Sequence, residues 1–138
     1  MLNRLKTLHD ELRAAIAELA AETAKSEPDV DTLPAVRLKL TRASSRRKAL
    51  IECSISPLLH DVSPEDARRI DDLRRVAADR AIKSSAHIAR WTMRAIVADW
   101  DGYRRASADM RAHMLRRIKE EAAVLYPLLE AKSDRQAA

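Results

Sequence analysis

The residues best placed to do chemistry stand near the end of the chain, in the stretch MRAHMLRRIKEEAAVLYPLL at 110–129. On a helix, one inward line runs through Met110, Met114, Arg117, Glu121, Val124/Leu125 and Leu128, with His113 on its border. Arg117 and Glu121 are four apart, one turn above the other, so they can pair or converge on something held between helices. An apolar stripe tolerates such groups only when they are paired, hydrogen-bonded or on a metal, because an uncompensated buried charge is costly. The pair reads either as a structural salt bridge or as what is left of a site.

The elements that must position these groups are all helical. The chain has 138 residues with one Gly and five Pro, which leaves little material for hairpin turns, while abundant Ala, Leu, Arg and Glu favour helix. That length suits a single domain, expected over 1–131, with 132–138 as a flexible tail. No charge-free apolar stretch approaches the ~18 residues of a membrane span, and the N-terminus lacks the apolar core of a secretory signal, so a soluble, cytoplasmic protein is expected. Cys53 stands alone, which excludes an intrachain disulfide framework and multi-cysteine zinc sites. The charge of +5 and pI of 9.7 suit an anionic partner without defining a site for one. Two Trp, two Tyr and no Phe supply a poor stacking platform for bases.

Helix A is predicted over about 2–24, with Leu5, His9, Leu12, Ile16 and Leu19 on one face, so His9 points inward. Helix B is predicted over about 34–59 after a turn containing Pro28 and Pro34, with Asp31 or Thr32 as cap. Its inward line, Val36, Leu40, Ala43, Arg47, Leu50/Ile51, Ser54 and Leu58, also turns Arg47 inward. Ser63, Pro64, Glu65 and Asp66 give the clearest helix start. Helix C follows to about 100, one face carrying Ile82, Ala86, Ala89, Met93, Ile96, Trp100 and Tyr103, a second carrying Ile88, Trp91 and Ala95. Asp101 and Gly102 are expected to turn the chain through a left-handed glycine, and helix D to run over about 103–130.

The ends of helices B and D look alike. Aligning Pro57 with Pro127 in RRKALIECSISPLL (46–59) and RRIKEEAAVLYPLL (116–129) also aligns Arg47 with Arg117 and Ile51 with Glu121. Two versions of one helical hairpin would make an all-α, antiparallel up-and-down four-helix bundle with approximate two-fold symmetry.

With His9 in TLHDELRAAI, His87 in SSAHIARWT, Glu121 and VLYPLL at 124–129, the chain resembles the hemerythrin-like, or HHE cation-binding, family. The resemblance spans nearly the full chain. It implies a four-helix bundle whose metal-bearing members hold a di-iron centre for oxygen or nitric oxide binding, iron handling or redox sensing. The departures are specific. Arg47 and Arg117 stand where the family has histidine, and a guanidinium has no available lone pair. Ile51 replaces a carboxylate, Glu52 lies off the inward line, and Trp91 replaces a second helix C histidine. A full di-iron set cannot be written from the matched positions.

What remains is His9, His87, His113 and Glu121, chemically sufficient for a single iron or zinc ion. His113 and Glu121 are nevertheless about 12 Å apart along the helix axis at 1.5 Å per residue. The alternative sends Arg47 and Arg117 into the vacated centre, with Glu121 as counter-charge and His9 as neighbour. One acid cannot neutralise two arginines, so another acid, an anion, water or an exposed cleft must be involved.

Three functions follow. The first is a hemerythrin-like protein with a reduced metal site, a small-ligand or redox sensor rather than an oxygen carrier. A metal-free bundle that binds a protein partner, or a second copy through helix C, is the second. The third is nucleic-acid binding, for which Lys39, Arg42 and Arg46 form the only concentrated stripe of the basic run in helix B. An enzyme is the least expected, because no phosphate loop, His-Glu-x-x-His motif or base-activated nucleophile is present.

Overall fold

The computed structural model describes residues 1–137, which form five helices and no strand: α1 Leu2–Thr23, α2 Leu33–Leu59, α3 Pro64–Arg90, α4 Met93–Ala98 and α5 Trp100–Ala137. No helix among the described residues is long and apolar enough to cross a membrane. The first two match the predicted boundaries to within a residue or so. Pro57 and Pro127 both sit inside helices without ending them.

Side-chain caps account for the starts of α3, α4 and α5. Ser63 Oγ accepts from Asp66 N at 3.1 Å, Pro64 opens α3, and Glu65 and Asp66 face the positive helix end, as expected. The turn before α2 differs: neither Asp31 nor Thr32 makes a side-chain cap, and Asp29 Oδ1 accepts from the backbone of both. Asp29 wins because its carboxylate reaches residues two and three ahead, the geometry of an Asx turn.

Helix C is where expectation and structure part. The predicted single helix breaks at Trp91 and Thr92: Trp91 leaves helical geometry and buries its indole, and Thr92 Oγ1 starts α4 by accepting from Ala95 N at 3.2 Å. The expected turn at Asp101 and Gly102 lies earlier, at Asp99, whose Oδ1 caps α5 through Gly102 N at 2.9 Å. No described residue has a positive φ. Gly102 matters for space instead, since a Cβ there would collide with the Asp99 carboxylate. The predicted inward face fails before the break, not after it: Ile82 is 72 % exposed, Ala86 and Ala89 are exposed and Ile70 is the one buried residue of α3, whereas Ile96 and Tyr103 beyond the break are buried. At the other end α5 continues past Glu130 through Ala137, where a tail is predicted; Ala138 lies outside the described residues.

Two apolar clusters define which ends meet. Leu5 from the start of α1 shares one with Leu50, Ile55 and Leu58 from the later part of α2, Ile70 from the start of α3, and Leu125 and Leu129 from the later part of α5. Leu12, Ile16 and Leu19 from the later part of α1 share the other with Leu33 and Leu40 from early α2, Trp91 after α3, Ile96 of α4, and Tyr103 and Ile118 of α5. Contacts of α1 with α2 and α5, and of α3 with α5, hold these clusters together, whereas α2 and α3 barely touch. Ser44 and Ser45 of α2 and Ala77, Ala81, Ser84 and Ser85 of α3 line the gap, and their small side chains leave it open.

Candidate functional site: a carboxylate hub beside an open groove

The inward lines of α1, α2 and α5 deliver four polar side chains to one place. Glu121 is 2 % exposed and Arg47 5 %, and His9 is fully buried. Arg47 Nη1 donates to Glu121 Oε1 at 3.2 Å and to Oε2 at 3.1 Å. Arg117 Nε, one turn earlier on the same helix, donates to Oε2 at 3.2 Å. His9 Nε2 lies 3.0 Å from Oε1, and its Nδ1 lies 2.5 Å from the Tyr126 hydroxyl. With Nε2–H donating to the carboxylate, Nδ1 of a neutral ring accepts from Tyr126. The convergence of Arg47, Arg117, His9 and Glu121 expected from the sequence is therefore present.

Burial alone would raise the Glu121 carboxyl. The hydrogen bond from His9 and the charges of Arg47 and Arg117 outweigh it, so the group is held below its ordinary value and stays ionised. Arg47 is pushed down by burial and by Arg117 and pulled up by Glu121, with a net lowering. Two guanidinium groups thus share one carboxylate. Arg47 Nε is buried with no hydrogen-bond partner among the described residues.

Both arginines also line the gap between α2 and α3, a groove of about 840 Å³. Its floor includes Leu40, Met110, Met114 and Trp91, and its rim carries Lys48, Arg80 and Lys83. No aspartate or glutamate among the described residues lines it. Lys83 pairs with Asp79, while Lys48 and Arg80 form no ion pair among the described residues. Glu52 is exposed and lines only a small adjoining crevice.

The four candidate metal ligands do not gather. His9 and Glu121 meet in the hub, but His87 and His113 line the groove, and no group of three His, Cys, Asp or Glu side chains suited to a metal ion occurs among the described residues. The hub also fits a metal poorly, because both His9 nitrogens and both Glu121 oxygens already have partners. Burial and the nearby Arg37 charge hold His87 below its ordinary value. Its ring lies 6.1 Å from that of Tyr103. Of the basic stripe, Lys39 pairs with Glu18 at 2.7 Å and Arg46 with Glu11 at 3.5 Å, so α1 supplies counter-charge to two of its three members; Arg42 is exposed.

Sequence reasoning did not single out Tyr126, Arg80 or Lys83, and it named Lys48 only as part of the basic run of helix B. Tyr126 follows Glu121 by five positions, off the inward line, and only its place before Pro127 in the LeuTyrProLeu run marked it. Lys48 and Arg80 become a pair of walls only because α3 stands away from α2, which no local pattern encodes. In comparison with known proteins, no family model, no curated protein and no solved structure matches the chain.

Proposed function

We propose that the protein is a non-enzymatic binding protein, an antiparallel four-helix bundle of hemerythrin-like form made by α1, α2, α3 and α5, with an arginine–carboxylate hub where that family holds metal. Its ligand is a small organic anion taken up in the groove. The bundle reading is supported by the two clusters, which join alternate ends of successive long helices. The ligand reading rests on one observation: Arg47 and Arg117 share a single carboxylate beside a groove that no acid among the described residues lines. A buried positive charge in excess of its partners favours any anion that can reach it.

The test is thermal denaturation with a panel of carboxylates at constant ionic strength, for wild type and Arg117→Gln. Arg117 is only partly buried, so the variant keeps the fold. A saturable rise in Tm in wild type that shrinks in the variant is expected, since a ligand bound only to the folded state stabilises it by mass action. No ligand-dependent rise, or the same rise in both proteins, contradicts the reading.

A further inference from the structure

We infer that the groove between α2 and α3 binds a long-chain fatty carboxylate, its head at Arg47 and Arg117 and its chain along Met110, Met114 and Trp91. This deepens the anion-binding reading and rests on it. Two features of different kind support the assignment. The head end sets two guanidinium groups against one carboxylate: Arg47, 5 % exposed and with its Nε unpartnered among the described residues, and Arg117 share Glu121. By exposed surface the groove is mostly apolar, its floor set by Leu40, Met110, Met114 and Trp91 with Leu38 and Ile88 at the margin, while Arg37, His87 and His113 also line it.

Size and shape narrow the class. A volume of about 840 Å³ lies within the range of small-molecule sites, roughly 300–1,000 Å³. Along α5 the lining runs from Tyr103 to Arg117, about 21 Å at 1.5 Å per residue, the reach of an extended long acyl chain rather than of a compact anion. The methionines suit such an occupant, because unbranched thioether side chains adapt to a flexible chain. Leu38 and Ile88 are about half exposed, and an acyl chain would cover them.

Isothermal titration of the full chain with butanoate, decanoate and hexadecanoate, each below its micelle-forming concentration, and with hexadecanol as a tail without charge, tests the inference. Hexadecanoate should bind at least about a hundredfold tighter than butanoate, given the contribution of each buried methylene, and hexadecanol more weakly than hexadecanoate. Arg117→Gln should weaken hexadecanoate binding about tenfold. Ser84→Trp, at an exposed position on the groove wall, should abolish it while circular dichroism stays unchanged. Equal affinity along the series overturns the acyl chain and leaves the anion reading standing; no binding of any carboxylate overturns both. A dimer dispersed by Ser84→Trp but not by hexadecanoate gives the groove to a second copy and overturns the inference.

Discussion

Glu121→Leu should destabilise the fold by about 3–5 kcal/mol, read from urea denaturation at neutral pH. The substitution removes the one acceptor shared by Arg47, Arg117 and His9, and leaves Arg47 buried without a counter-charge. Loss of His9 or Arg117 costs less, because Glu121 then keeps two of its three partners. Acid should imitate the substitution. Because the folded-state carboxyl is held below its ordinary value of 4.5, its contribution is fully present above about pH 4.5 and is lost as pH falls through the lower folded-state value. The stability difference between wild type and Glu121→Leu should therefore shrink in that acid window. Parallel curves would show that the carboxylate is not what the hub depends on.

Tyr103→Ala should cost a similar amount, about 3–5 kcal/mol, for a different reason. Tyr103 is fully buried at the joint of α3, α4 and α5. Its ring meets Trp91 edge-on at 5.6 Å and stacks with Trp100 at 5.9 Å, and the Arg37 guanidinium lies over it at 5.5 Å. Truncation leaves a cavity where these contacts converge, and it frees Trp91, the residue at which α3 ends. Tyr103→Phe keeps the ring and should cost about 1 kcal/mol at most. Loss of near-ultraviolet circular dichroism in the alanine variant alone would mark the loosened joint, and equal stability of both variants would refute this account of it.

How much of this was legible in the sequence follows from what each element depends on. The inward faces of α1 and α2 were readable because each is an unbroken helix, where a spacing of three and four fixes a face, and His9, Arg47 and Glu121 are buried as predicted; on α5 only Glu121 and Leu125 of the predicted line are buried, and Ser107, Ile118 and Leu129 are buried in place of the others. The end alignment of helices B and D found the two arginines that reach the same carboxylate. The boundaries within helix C were missed because the caps at Thr92 and Asp99 are short polar residues common in helices too, and its face was missed because α3 stands away from α2 and buries only Ile70. The groove was not readable at all. It depends on how far α3 stands from α2, a distance set by packing at both ends of the molecule rather than by any local pattern.

The most direct measurement is a double-mutant cycle between Arg47→Leu and Glu121→Leu, followed by urea denaturation. If the arginine is buried against that carboxylate, Arg47→Leu destabilises the wild type but stabilises the Glu121→Leu protein, because there it removes an unpaired buried charge. An equal effect of Arg47→Leu in both backgrounds would mean that the two side chains do not meet, and the hub, with the anion site built on it, would fall.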